Sequence, residues 1–108
     1  MKECIFCEIA NSDDPSKLVW QNDVAAAFKT NTPAAPVHIL LVPKKHIESL
    51  DHLVEPELAG MLLMATREVA HTLGLKGAWR LRTNNGAKAG QTIQHLHFHI
   101  LGGIQMAE

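Results

Sequence analysis

The sequence predicts an α+β fold, in which one long helix covers a face of an antiparallel sheet of about five strands. Two patterns carry this prediction. Short segments of alternating or continuous apolar residues recur along the chain between turn-forming residues, as expected of strands. One longer segment, residues 56–73, spaces its apolar residues at helical intervals. A short helical or irregular segment over residues 4–10 precedes the first strand.

Length and composition limit the classes of protein that fit. The 108 residues suffice for one domain with a modest core, which we expect to span 1–108. With a net charge of −1, no basic excess favours nucleic acid as a partner, and no apolar run is long enough for a membrane span. The N-terminus lacks a secretory pattern, so we expect a cytoplasmic protein whose cysteines are thiols or metal ligands.

The first four strands are predicted at residues 18–21, 24–28, 37–42 and 79–83. Asn22 and Asp23 favour a tight turn between the first two, and Pro43 ends the dense apolar run of the third. The two prolines of residues 30–36 predict a loop. A second loop is predicted at residues 84–92, which are rich in asparagine and glycine.

The helix at residues 56–73 is the clearest single element. Pro56 suits a first helical turn, and Gly74 suits the position after the last one. The apolar residues that share one stripe are Leu58, Met61, Leu62, Ala65, Val69 and Leu73. This stripe predicts that the helix packs on the sheet along its whole length.

The last predicted strand, residues 95–101, carries histidines at 95, 97 and 99. A helix turns about 100° per residue and would scatter them, whereas alternate side chains of a strand share one face. Leu96, Phe98 and Ile100 form the other, apolar face. The strand therefore presents three imidazoles outward over a buried face, and beside the polar loop this array indicates metal binding or phosphate chemistry.

Cys4 and Cys7 have the spacing of half a tetrahedral zinc site. Since the chain has no other cysteine, two further ligands would be histidines, and His46 and His95 are the candidates. The alternative is that both cysteines are small apolar residues packed in an N-terminal turn. A thioredoxin-type redox pair is disfavoured, because no strand of a βαβ unit precedes Cys4.

His97 lies at the centre of the array. A neutral imidazole can attack phosphorus and form a nucleotidyl-imidazole that water later cleaves, provided that neighbouring groups hold its tautomer and stabilise the phosphoryl oxygens. The candidates for these neighbours are His99, Thr92, Asn84 and the backbone N–H groups of residues 90–92. His38, within the third strand, is either a buried hydrogen-bonded histidine or a group that orients another side chain.

The pattern His-x-His-x-His followed by two apolar residues resembles the histidine triad motif of the HIT superfamily. Most of the chain shares in the resemblance, through the blocks at residues 4–7, 33–38, 42–46, 84–86, 90–92 and 101–106. The last three blocks most resemble the Hint branch, the purine nucleoside phosphoramidases. The resemblance implies hydrolysis of a nucleoside 5′-phosphoramidate, such as an adenylated amine.

Roles for individual residues follow from this resemblance. It implies that His97 is the nucleophile, that His99 contacts the phosphate and helps to protonate the leaving group, and that His38 supports the orientation of His97. It also implies that Phe28 lies against the purine. The phosphate-binding groups that it implies are Asn84 and Thr92, together with the loop residues Gly90 and Gln91.

The resemblance further implies one structural zinc ion per chain, no organic cofactor, and a homodimer. The zinc ligands would be Cys4, Cys7, His46 and His95, so that the ion ties the N-terminus to the sheet and leaves His97 free for catalysis.

Thr30 and Asn31 depart from the pattern, because Hint-type proteins usually place an acidic residue two positions after Phe28 to hold the ribose hydroxyls. A neutral side chain is a weaker acceptor than a carboxylate. Two alternatives follow: a dinucleoside polyphosphate hydrolase of the Fhit-like branch, which residues 101–106 disfavour, and a nucleotide- or partner-binding module with negligible turnover. Thr30 and the short tail after Met106 favour the latter.

Overall fold

The computed structural model describes residues 4–108 and contains one five-stranded antiparallel sheet, which confirms the predicted α+β fold. The strands are β1 (Trp20–Gln21), β2 (Ala25–Lys29), β3 (Val37–Pro43), β4 (Trp79–Arg82) and β5 (Phe98–Gly102). Their order in the sheet is β1-β2-β3-β5-β4. Residues 1–3 belong to the N-terminus that is predicted to lack a secretory pattern, and they lie outside the described residues.

Two helices flank the sheet, α1 (Ile5–Ala10) and α2 (Pro56–Thr72). The Cys4 side chain caps α1 by accepting a hydrogen bond from the Cys7 N–H at 3.3 Å. Helix α2 ends where predicted, and Gly74 follows it with a φ of +78°, a conformation that favours glycine. Within residues 4–108, neither helix has the length and apolar character that crossing a membrane requires.

Each face of the sheet carries its own apolar cluster. The cluster between α2 and the sheet includes Ile39, Leu41, Leu62, Leu96, Phe98 and Ile100. The cluster between α1 and the sheet includes Phe6, Ala26, Phe28, Leu40 and Val42. Because alternate side chains of a strand point to opposite faces, the histidines at 95, 97 and 99 fall on the α1 side. Met61, predicted on the buried stripe of α2, instead lies at its margin and is 42% exposed.

Strand β5 begins three residues later than predicted, at Phe98, so that His95 and His97 precede it. The reason is that β3 ends with Pro43, which has no N–H to donate. The chain before β5 satisfies its backbone elsewhere: the Leu96 N–H donates to Ile47 O at 2.6 Å and Thr83 Oγ1 donates to His97 O at 2.8 Å. The side chains still alternate between the two faces.

Candidate functional site

His97 is held in a defined tautomer. Its Nδ1 lies 2.8 Å from the carbonyl oxygen of His95. Since a carbonyl oxygen only accepts, Nδ1 carries a proton, so that in the neutral ring the lone pair is on Nε2. The prediction that the imidazoles point outward is wrong for this ring, which is only 7% exposed because α1 covers it. The hydrogen bond therefore fixes the orientation of the ring, with Nε2 as the nitrogen that can act as a base or nucleophile.

His38 and His99 form a second fixed pair. The Ala34 N–H donates to His38 Nδ1 at 2.9 Å, so the proton of His38 is on Nε2, which lies 2.8 Å from His99 Nδ1. His99 must then carry its own proton on Nε2. This buried atom has no hydrogen-bond partner among the described residues. The His97 and His99 ring centroids are 5.1 Å apart, so the ring with the unpaired N–H donor is a direct neighbour of His97.

Burial keeps both members of this pair neutral. It lowers the pKa of His99 to about 4, and the nearby positive charge of Arg82 acts in the same direction. Burial and Arg82 also lower the pKa of His38. Neutral rings at pH 7 agree with the hydrogen-bond pattern, in which each imidazole has one donor and one acceptor nitrogen.

We expect this shift to make stability depend on pH. Between pH 6.5 and about pH 4, His99 binds a proton in the unfolded chain but not in the folded protein. The free energy of unfolding should therefore fall as the pH decreases across this range. Chemical denaturation at pH 7 and pH 5 measures the fall. The free energy of unfolding of His99→Gln should fall less than that of wild type, and that of His71→Gln, on α2, should fall as much as that of wild type. Equal falls in all three proteins would contradict the assignment.

A cleft of about 240 Å³ opens between α1, the end of β2 and the histidines. Its apolar wall consists of Ile5, Phe6, Ile9, Phe28, Leu40 and Ile93. The remaining residues that line it are Lys29, Thr30, Asn31, Thr32, Thr92, His97 and His99. None of these is acidic. An apolar wall next to imidazoles suits a flat heterocycle joined to an anionic group.

The predicted substrate contacts divide into two groups. Phe28 and Thr92 line the cleft together with His97 and His99, whereas Asn84, Gly90 and Gln91 do not. The Gly90 N–H donates to Ala87 O at 3.0 Å and the Gln91 N–H donates to Gly86 O at 3.1 Å, so both N–H groups are engaged within the loop. Substrate contacts by these three residues therefore stay predictions.

The Gln91 side chain acts as a brace, by which we mean that its hydrogen bonds join this loop to neighbouring segments of the backbone. It is 3% exposed, and its Oε1 accepts from the Gly86 N–H at 2.8 Å. Its Nε2 donates to Glu48 O at 2.6 Å and to Ile93 O at 3.0 Å. It thereby joins the loop before β5 to the segment after β3 and positions the neighbouring Thr92.

Gln91→Leu should lower the free energy of unfolding by about 2 kcal/mol, because it leaves three partly buried backbone groups without their partners. Chemical denaturation at pH 7 measures the change. Gln94→Leu, at an exposed position, is the matched control and should change stability by less than about 0.5 kcal/mol. A similarly small effect of Gln91→Leu would rule out the brace.

The four predicted metal ligands converge. Cys4, Cys7, His46 and His95 place their ligand atoms within 4.8 Å of one another. His95 Nδ1 lies 3.2 Å from Cys4 Sγ and 3.4 Å from Cys7 Sγ, and His46 Nδ1 lies 3.2 Å from Cys7 Sγ. These separations are close to those between ligands around one tetrahedral ion, so the group could hold a metal such as zinc.

The surroundings of this group fit a cation. His95 is fully buried and donates its Nε2–H to Pro43 O at 2.9 Å, which leaves the Nδ1 lone pair facing the thiols, as in a typical metal-bound histidine. Burial, the hydrogen bond to Cys4 and nearby negative charge raise the pKa of Cys7 to about 11. A bound cation would reverse this effect, because it stabilises the thiolate.

Sequence reasoning missed the contribution of α1 to the cleft. Ile5, Phe6 and Ile9 lie on one face of this helix, and their three- and four-residue spacing is the signal that could have indicated it. The Phe6 ring meets the His97 ring edge to face, with centroids 5.1 Å apart. The segment was too short for its periodicity to distinguish a helix from an irregular turn.

Comparisons with known proteins agree with this geometry. Residues 11–106 match the family model described as HIT domain. The chain is 44% identical over 104 residues to an uncharacterized HIT-like protein of Synechocystis sp., a match that covers 94% of this chain and 91% of that protein. A HIT family hydrolase from Legionella pneumophila has a similar structure, with a TM-score of 0.89, 35% identity, and coverage of 97% and 96%. A histidine triad nucleotide-binding protein from Candida albicans gives a TM-score of 0.80, 26% identity, and coverage of 98% and 85%.

Proposed function

The chain belongs to the HIT domain family, and on that premise we propose that it hydrolyses nucleoside 5′-phosphoramidates to a nucleoside monophosphate and an amine. The observation that carries the proposal is the state of His97, whose Nδ1–H is bound to His95 O while its Nε2 lone pair remains available beside the cleft. The similar structures, a HIT family hydrolase and a histidine triad nucleotide-binding protein, support the same class of substrate.

The reaction has two displacements at phosphorus. In the first, the Nε2 lone pair of His97 attacks phosphorus, and the bond from phosphorus to the amine nitrogen breaks with its electron pair going to nitrogen. The departing nitrogen takes the Nε2 proton of His99, and the water that attacks in the second displacement returns a proton to the same atom, so that His99 ends the cycle in its starting state. In the second, water attacks phosphorus, the bond to His97 breaks, and the nucleoside monophosphate leaves.

His38 is a positioning residue in this scheme. Its Nε2–H donates to His99 Nδ1, and its own Nδ1 is occupied by the Ala34 N–H. This chain of hydrogen bonds holds the His99 proton on the nitrogen that faces the reacting groups. Without it either nitrogen of His99 could carry the proton.

The cleft supports a purine nucleotide as the substrate. The purine would lie against Phe28, whose ring meets Phe6 edge to face at 5.3 Å, and the phosphate would reach Thr92, His97 and His99. Asn84 and the loop residues Gly90 and Gln91 would complete the phosphate site. Thr30 Oγ1 accepts from the Thr32 N–H at 3.2 Å, so the ribose would meet a hydroxyl rather than a carboxylate.

Zinc is the metal that the donor set of two thiols and two imidazoles favours, with one structural ion expected per chain. Its chemistry would be that of a closed structural site, which joins Cys4 and Cys7 at the start of α1 to His46 and His95. His97 is not among these ligands and stays free to react.

A comparison of substrates tests the proposal. Release of AMP from adenosine 5′-phosphoramidate should have a kcat/KM at least about tenfold above that for hydrolysis of diadenosine tetraphosphate. The reverse order would favour a dinucleoside polyphosphate hydrolase. Tight AMP binding without turnover of either substrate would favour a binding module, which the neutral Thr30 makes the second candidate.

We also expect a homodimer. Helix α2 exposes Met61, Leu63 and Met64, which are 42%, 57% and 53% exposed and lie close together on one helix. Light scattering after size exclusion should give twice the mass of the chain. Leu63→Glu with Met64→Glu should shift the protein towards one chain per particle, whereas Ile104→Glu in the C-terminal tail is the control. A monomeric wild-type protein would contradict the expectation.

A further inference from the structure

His95 belongs to both the metal-binding group and the catalytic arrangement. Its Nδ1 lies 3.2 Å from Cys4 Sγ, and its carbonyl oxygen accepts the Nδ1–H of His97 at 2.8 Å. Its Nε2 is tied to Pro43 O at 2.9 Å, and the residue is fully buried. The ring and the main chain of His95 therefore have little freedom to move independently. A displacement of the ring would also displace the carbonyl oxygen of His95, which accepts the Nδ1–H of His97.

Helix α1 provides a second connection between the same two places. The helix is capped by Cys4, contains Cys7 in its first turn, and carries Ile5, Phe6 and Ile9 into the cleft wall. The Phe6 ring centroid lies 5.1 Å from that of His97 and 6.1 Å from that of His95, in near-perpendicular arrangements. A helix of six residues is not stable alone, so its position depends on its anchors.

We propose that a metal ion held by Cys4, Cys7, His46 and His95 positions His97 and the α1 wall of the cleft, so that metal occupancy sets the affinity for the nucleotide. The inference rests on the proposed function and adds a regulatory connection to it. Phe6 is the positioning residue on this route, because it is the side chain of α1 in contact with the rings of both His95 and His97. The ion would act without any contact to the substrate.

The physical reason is that, without a metal, the four ligand side chains are joined to one another only by weak contacts. Its connections across the fold are thiol–imidazole contacts of 3.2–3.4 Å, which are weak hydrogen bonds compared with metal–ligand bonds. Loss of the ion releases the start of α1 and the His95 ring together. Changes to groups that orient a site of this kind commonly alter affinity or activity by about tenfold to a hundredfold.

The first test compares zinc-loaded wild type with chelated wild type and with His46→Ala. His46 is exposed and does not line the cleft, so it does not contact the nucleotide, and chelated wild type separates loss of the metal from loss of the His46 ring. We expect folded metal-free protein and His46→Ala to bind AMP at least about tenfold more weakly by calorimetry, and the ¹⁵N signals of His97 to show a mixture of tautomers. Unchanged AMP affinity and an unchanged His97 tautomer would overturn the proposal.

A second test keeps the metal in place and remains decisive if the metal-free protein loses its fold. Phe6→Leu in the zinc-loaded, ligand-free protein should retain zinc but shift the His97 ¹⁵N signals towards a mixture of tautomers. Phe98→Leu removes a similar volume from the opposite face of the sheet and should leave those signals unchanged. If both variants leave the His97 tautomer intact, the route through α1 is wrong.

The proposed function fails separately. It fails if zinc-loaded wild type with a single His97 tautomer does not turn over adenosine 5′-phosphoramidate, whatever the metal does to AMP affinity. The proposed dependence of nucleotide affinity on the metal fails if the zinc-loaded protein turns over the substrate but neither AMP affinity nor the ¹⁵N signals of His97 change when the metal is removed.

Discussion

His97→Ala is expected to reduce the release of AMP from adenosine 5′-phosphoramidate by at least about 10⁴-fold, the size of loss that removal of an attacking side chain causes in other enzymes. The reason is that, among residues 4–108, His97 is the cleft histidine that donates its Nδ1–H to a carbonyl oxygen and so has Nε2 as the lone-pair nitrogen of its neutral ring. The measurement is single-turnover AMP release at pH 7. His71→Ala, on α2 and away from the cleft, should keep wild-type turnover.

Covalent capture distinguishes a nucleophile from a general base. Wild type mixed with substrate and rapidly denatured should gain the mass of one nucleoside monophosphate on the peptide that contains His97. His99→Ala should also gain this mass, but more slowly, because His99 is assigned to proton donation and phosphate contact. Turnover by His97→Ala at the wild-type rate, or captured mass on another residue, would refute the assignment.

Loss of the metal should have the largest effect on stability. His46→Ala is expected to lose its zinc and to be about 4 kcal/mol less stable than wild type when free zinc is about a thousandfold above its dissociation constant. The reason is that binding to the folded state alone stabilises that state. Metal analysis and chemical denaturation, with thiols kept reduced, measure the two quantities.

The matched control is again His71→Ala, which removes an imidazole outside the metal-binding group and should keep one zinc per chain. Chelated wild type should be as unstable as His46→Ala, because both lack the ion. Zinc-free wild-type protein purified under reducing conditions, with a stability that added zinc does not raise, would leave Cys4 and Cys7 as packing residues.

Local patterns in the sequence determined much of the fold. The alternation of residues 95–101 predicted which side chains enter the α2 core and which face the other way, and Leu96, Phe98 and Ile100 are in that core. The helical spacing of residues 56–73 predicted α2 to within one residue at its end. Periodicity succeeds here because it reports the geometry of the chain over a few residues.

Only the tertiary structure decided the contacts between distant segments. His38 meets His99 across 61 positions because β3 and β5 pair with His38 opposite Leu101, which brings the two imidazoles onto one face. The same packing turns Gln91 inward as a brace and sets α1 over His97. Motif spacing identifies the candidate site residues, but strand register and burial determine their tautomers, their pKa values and their hydrogen-bond partners.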